Sequence, residues 1–269
     1  MCRLLALAVG LLGASLTLAQ AMPPGSPVQQ APAAQPAPPV QPPDPSMSVE
    51  QLEARGDELR VQRFYGDAID YYLEALTKRP KEAMLWNKIG LAELRLSRYE
   101  EAKKHFEKAV KIDRNFPDAV GNLGATHYLL KEYSKAIKLC RKAIKMRTDV
   151  ASFHNNLANA YFSRKEYDNA VREFARALEL DPEILERRSS TGIQAQVIGA
   201  EDRARYDYEL ARVYARAGSL DRALHYLKKA MEDGYSGLDS VYKEQEFADL
   251  RKDPRFAELM NSRPQAIPQ

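Results

Sequence analysis

The chain has 269 residues, a formal net charge of +3, 16 prolines and 2 cysteines. Two cysteines exclude a disulfide framework and a four-thiolate zinc site, and 40 basic against 37 acidic residues leaves no nucleic-acid footprint. No apolar run reaches the ~20 residues that a membrane-spanning helix needs. Residues 1–21 set Arg3 before an apolar core, Leu4 to Ala19, and then Ala19-Gln20-Ala21. A positive start, an apolar core and small residues at the break predict a secretory signal peptide, cut after Ala21 or, failing that, Ala19. An uncleaved anchor is the alternative. Cys2 precedes the apolar core and leaves with the leader. Residues 22–46 hold ten of the prolines, with Gln and Ala, and only Asp44 is charged. Such a segment buries too little apolar surface to offset its ordering entropy, so a disordered, extended linker is expected there.

From residue 47 the chain repeats every 34 residues. Gly56, Gly90, Gly124 and Ala158 are in register, and so are Tyr65, Tyr99, Tyr133 and Tyr167. Ala68, Ala102, Ala136 and Ala170 follow, then Ala75, Ala109, Ala143 and Ala177. Each unit holds two apolar-periodic stretches with a polar break before the Tyr, the pattern of a helical hairpin. The small residues sit where two helices approach closely. One hairpin cannot cover both of its apolar faces, so neighbours must stack.

This pattern resembles the tetratricopeptide repeat. Trp86, Gly90, Tyr99, Ala102, Phe106 and Ala109 fall on that family's Trp, Gly, Tyr, Ala, Phe and Ala positions, and Pro80 and Pro182 on its closing Pro. The units are 49–82, 83–116, 117–150 and 151–184, within a 47–184 array. A fifth, at 204–237, puts Ala211, Ala223 and Ala230 on the small positions after an insert at 185–203. Residues 238–263, with an LR-x-DPRF segment at Leu250 to Phe256 like that closing many bacterial repeat proteins, are expected to cap the stack with short helices, and 264–269 to form a disordered tail. The implied fold is all-α, a right-handed α-solenoid of about five helix-turn-helix hairpins with a C-terminal helical cap.

Chemistry is sparse. No His-x-x-x-His or Cys-x-x-Cys pair exists among His105, His127, His154, His225 and the cysteines. His127 and His154 lie on first helices of adjacent units, where satisfied core or groove histidines are expected. Cys140 reads as a core thiol, and no phosphate-cradling loop or paired-carboxylate site appears. The sequence therefore predicts no enzyme, no metal and no cofactor.

In the resembled family first helices line a concave face at the second, fifth, ninth and twelfth positions of each unit. Carried over, this implies a partner-binding groove of Asn87, Leu91, Leu94, Tyr128, Asn155, Asn159, Phe162, Arg205, Tyr208 and Arg212. Aromatics and amides suit a peptide segment. Glu50, Glu53 and Asp57 make the first unit acidic, whereas Arg205 and Arg212 make the fifth basic, a polarity able to orient a ligand. The carboxylate clamp of some members is absent: Asp57, Leu91 and Ala125 occupy its Asn position, and Ser152 and Asn156 stand where Lys and Arg belong. The expected function is an exported scaffold or adaptor, periplasmic or secreted, binding protein or peptide segments. No nucleic acid and no membrane span after leader cleavage are expected, and self-association is left open. The alternative is a structural subunit of an envelope or secretion/pilus-type assembly, binding through its edges or cap.

Overall fold

A computed structural model describes residues 40–186 and 200–262. The expected leader, most of the proline-rich segment, residues 187–199 of the insert and the last residues from 263 lie outside the described residues. The described chain is helical, with no strand among its elements.

Five antiparallel hairpins follow one another. They are α1 (Val49–Val61) with α2 (Tyr65–Lys78), α3 (Ala83–Arg95) with α4 (Tyr99–Ile112), α5 (Pro117–Leu129) with α6 (Tyr133–Met146), α7 (Ala151–Ser163) with α8 (Tyr167–Leu180), and α9 (Ala200–Arg216) with α10 (Leu220–Glu232). Three short 3-10 turns and α11 (Pro254–Ser262) close the chain. The first four second helices all begin at the repeating Tyr. The array starts on a capping box: Gln51 N–H donates to Ser48 Oγ at 3.2 Å, and Ser48 N–H to Gln51 Oε1 at 2.8 Å.

Each hairpin turns the same way. Arg63, Ser97, Lys131 and Lys165, one repeat apart, have φ between 59° and 68°, and Gly218 holds the same place in the fifth hairpin at 74°. Around each the ending helix closes with a Schellman pair of bonds. In the third hairpin Glu132 N–H donates to His127 O and Lys131 N–H to Tyr128 O, both at 2.8 Å. Four non-glycine residues thus tolerate the left-handed region because two backbone bonds hold each of them there.

The small positions are contact points between helices. Ala68, Ala75, Ala102, Ala109, Ala136, Ala143, Ala158, Ala170, Ala177, Ala211, Ala223 and Ala230 have no exposed surface. A Cβ on Gly56 would lie 2.5 Å from the Tyr72 ring, one on Gly90 2.7 Å from the Phe106 ring, and one on Gly124 2.8 Å from Cys140 Sγ. Gly121 is a further case, where a Cβ would run into the Phe153 ring of the next unit.

Both ends of the stack are covered. At the N-terminal end the linker is not free up to residue 46. Lys78 Nζ donates to Pro45 O at 2.6 Å and Met47 O at 2.5 Å, and Tyr71 Oη to Gln41 O at 3.1 Å. These bonds hold residues 41–47 against α2, so the ordered array begins earlier than composition suggests. At the other end Val241, Phe247 and Leu250 are fully buried, with Phe256 and Met260 nearly so, in one cluster with Tyr208, Leu227 and Met231. Asp253 caps α11 by accepting from Arg255 N–H at 2.9 Å.

Candidate functional site

α5 makes more contact with α3 and α7 than any second helix makes with the next. In a curved two-layer stack, the layer whose members touch lies inside the curve, so α3, α5 and α7 form the inner face. Their polar side chains define the candidate site.

Amides gather there. Asn122 Nδ2 donates to Asn87 Oδ1 at 3.0 Å, from one first helix to the next. Asn159 Nδ2 donates to Asn155 O at 2.9 Å within α7. The side-chain oxygens of Asn156 and Asn159 are buried and have no hydrogen-bond partner among the described residues. Asn87, Asn155, Asn156 and Asn159 are each more than nine-tenths buried. Asn122, Leu91, Ser152 and Ser163 are half-exposed along the same layer. Leu94 is buried with Phe106 and Leu123.

The aromatics expected to face the groove are covered instead. Phe162 meets Tyr206 edge-on at 5.1 Å and Tyr167 at 5.5 Å, and Tyr128 leans on Tyr133 at 5.8 Å. Tyr133 and Tyr167, which begin the third and fourth second helices, turn their rings onto the twelfth position of their own first helices. A ring at that position therefore packs rather than waits for a ligand.

The expected charge polarity is also corrected, because both ends use their charges internally. Lys88, one unit on, reaches Glu53 at 2.7 Å and Asp57 at 2.5 Å, and Arg79 holds Glu50 at 2.6 Å. Tyr72 Oη donates to Asp57 Oδ1 at 2.8 Å. In the fifth unit Arg212 is 6% exposed and faces four carboxylates. Its distances are 2.9 Å to Glu209, 3.0 Å to Glu244, 2.9 Å to Glu246 and 3.1 Å to Asp168. Arg205 sits 2.6 Å from Glu209, donates to Tyr235 Oη at 2.6 Å and lies 3.9 Å over the Tyr167 ring. Tyr208 has no exposed surface: its hydroxyl donates to Glu244 at 2.9 Å and its ring packs on Phe247 and Tyr235. The closing segment therefore covers Tyr208 and Arg212, while Arg205 is held by Glu209, Tyr167 and Tyr235. The acids it brings, Glu244 and Glu246, lie more than thirty residues away in sequence, which hides the pairing from repeat arithmetic.

Burial pushes the carboxyls of Glu209 and Glu244 above the usual carboxylate range, against the pull of Arg212. Asp207, on the opposite side of α9, is raised above its ordinary 3.8 by burial, with Lys229 at 3.3 Å opposing. Folding there takes up a proton, so Asp207's contribution falls as pH rises from the unfolded value through the raised folded one. Asp207→Asn removes that loss. We expect the variant to gain on the wild type as pH rises from about 4 towards neutrality, read from urea midpoints. A pH-independent difference would contradict the assignment.

His127 and His154 are satisfied individually rather than paired. His127 Nδ1 lies 2.5 Å from Glu132, and His154 Nδ1 lies 2.7 Å from Glu173. Cys140 is fully buried, and burial pushes its thiol up to about 12, so no thiolate forms near neutral pH. Among the described residues no group of three or more His, Cys, Asp or Glu side chains is placed to hold a metal ion.

Comparison with known proteins agrees with this architecture. The tetratricopeptide repeat family matches at residues 81–149 and again at 151–184. The chain thus carries tetratricopeptide repeats. The Hsp70-Hsp90 organizing protein of Triticum aestivum is 30% identical over 85 residues, which are 32% of this chain and 14% of that protein. Hsp70-Hsp90 organizing protein 1 of Glycine max is 31% identical over 85 residues, 32% of this chain and 15% of that one. The matched stretch is therefore a small part of either relative. Among solved structures, MamA (41-end) of Desulfovibrio magneticus RS-1 aligns with a TM-score of 0.50 at 18% identity, over 76% of this chain and all of that one. A thermophilic tetratricopeptide protein of Thermus thermophilus aligns at 0.49 and 19%, over 80% of this chain and 100% of its own. At these identities the likeness concerns the fold alone.

Proposed function

We propose that the protein is a non-enzymatic scaffold or adaptor that holds a peptide segment of a partner against α3, α5 and α7. The buried, unpartnered oxygens of Asn156 and Asn159 carry this reading. A folded protein leaves few buried acceptors unmet, because each one forfeits a hydrogen bond to water. The backbone N–H groups of an extended segment are the donors such oxygens take. The half-exposed Leu91, Asn122, Ser152 and Ser163 give the segment its approach. Support for a protein partner also comes from the relatives whose names record the organizing of Hsp70 and Hsp90. The leader pattern at residues 1–21 adds export to the proposal, with the proline-rich segment as tether.

Two variants test the site. Asn159→Leu keeps the branched shape but removes the amide's donor and acceptor, and Leu91→Glu puts a charge on the approach. The protein lacking residues 1–21 is used to capture partners from its native envelope fraction. Both variants should lose the captured protein while keeping wild-type helicity by circular dichroism. Undiminished capture by both would exclude the inner face.

A further inference from the structure

We infer that the outer face of α6 is a second docking surface, for an acidic protein segment. The helix carries Lys135, Lys138, Arg141, Lys142 and Lys145 and no Asp or Glu. The second helices α2, α4, α8 and α10 all carry acids among their bases. Every charge pair at i,i+3 or i,i+4 within α6 is therefore like-charged: Lys135–Lys138, Lys138–Arg141, Lys138–Lys142, Arg141–Lys145 and Lys142–Lys145. Such pairs destabilise a helix, whereas alternation with Glu would stabilise it. Neighbours do not supply the missing acids. Lys135 reaches Glu132 and Arg141 lies over the Tyr161 ring, but exposed Lys138, Lys142 and Lys145 have no ion-pair or hydrogen-bond partner among the described residues. A local rule broken without internal compensation marks a functional surface.

The shape narrows the occupant. The lysines rim a shallow depression whose lining includes Ser134, Ile137 and Leu139. Lys138 to Lys145 spans about 10 Å of helix, the reach of two helical turns or of a few extended residues. Exposed carboxylates remain on the second helices either side, Glu101 and Glu107 on α4 and Glu179 on α8. A wide anionic plane or a nucleic-acid duplex meets those acids as well as the lysines. A single segment with carboxylates around an apolar side chain meets only the stripe and its apolar lining. This surface lies on a second helix, away from the inner amides, so the scaffold holds two segments at once.

The probe is a labelled peptide of repeating Glu-Leu-Glu-Glu, titrated against the chain lacking residues 1–21. Binding should weaken with salt, and K138Q/K142Q/K145Q should lower affinity about tenfold. The control triple K165Q/K228Q/K243Q and the inner-face variant Asn159→Leu should stay within about twofold. The α6 triple should also melt no lower than wild type, because like-charge repulsion is relieved. Equal loss in the control triple would reduce the stripe to non-specific charge and overturn the inference. So would tighter binding of phosphatidylglycerol vesicles or duplex DNA through the same three lysines, or a clear drop in melting temperature. Loss of the inner-face proposal leaves this result untouched, since Asn159→Leu reports on that face alone.

Discussion

Replacing Arg212 by Ala is expected to cost about 3–5 kcal/mol of stability. The side chain is nearly buried, and Glu209, which it contacts at 2.9 Å, has no exposed surface at all. Removing the guanidinium leaves Glu209 with only Arg205, and Glu244 and Glu246 lose the cation that ties the closing segment to α9. Taking one partner from a buried pair is costly because the other stays desolvated. Arg212→Lys should recover only part of the loss, since an ammonium cannot present the fork that meets four carboxylates at once. The double change Glu209→Gln with Arg212→Met should cost less than Arg212→Ala alone, as no lone buried charge remains at Glu209. Urea unfolding followed by circular dichroism reads all four proteins. A cost below about 1 kcal/mol for Arg212→Ala would mean that the cluster behaves as a surface network. Loosening should begin at the end of the stack, so protease cleavage between Tyr235 and Leu250 is expected to rise before global unfolding.

The same cluster shows where repeat arithmetic stops being informative. The hairpins were legible because small residues recur every 34 positions, and their contacts with Tyr72, Phe106 and Cys140 follow from that period. The cap was legible from its apolar anchors. Three things were not. The left-handed residue in each turn is glycine only at Gly218; Arg63, Ser97, Lys131 and Lys165 carry no such mark, because Schellman bonds rather than residue type hold them there. The cover over Phe162 and Tyr208 is supplied by Tyr206 and by Phe247, one across the insert and one in the cap, outside the period that located the groove positions. The charge of each end depends on Lys88, Glu244 and Glu246, which a list of first-helix positions omits. Asn156, counted only in ruling out a carboxylate clamp, is one of the two inner residues with an unmet oxygen. Its neighbour Asn122 could have been found from the Asn87 spacing, one residue more than the repeat, which sets the two amides side by side.

Phe106→Ala and Gly90→Ala test the packing rule that builds every hairpin, and they should not be additive. Phe106 has no exposed surface, and its ring presses on the backbone of Gly90. Removing the ring should cost about 3–5 kcal/mol, the loss for an aromatic truncated in a core. Gly90→Ala alone meets two opposing effects. Alanine gains about 1 kcal/mol in a helix interior, but its Cβ would stand 2.7 to 2.9 Å from three ring atoms of Phe106, which are walled in by Leu94 and Leu123. The ring cannot yield without disturbing that cluster, so a net loss of about 1–3 kcal/mol is expected. In the double variant the new methyl enters space that the ring has vacated. The clash disappears, the helix propensity gain remains, and part of the cavity is filled. The double change should therefore be more stable than Phe106→Ala alone, with a coupling energy of at least about 1 kcal/mol. Simple additivity would show that Gly90 serves something other than close approach to Phe106. The same cycle at Gly56 and Tyr72, where a Cβ would stand 2.5 Å from the ring, should give a coupling of the same sign. There Tyr72 also donates its hydroxyl to Asp57, so truncating the ring removes a hydrogen bond that no methyl at position 56 can replace. The rescue at that pair should accordingly be smaller than at Gly90 and Phe106, although the contact is closer.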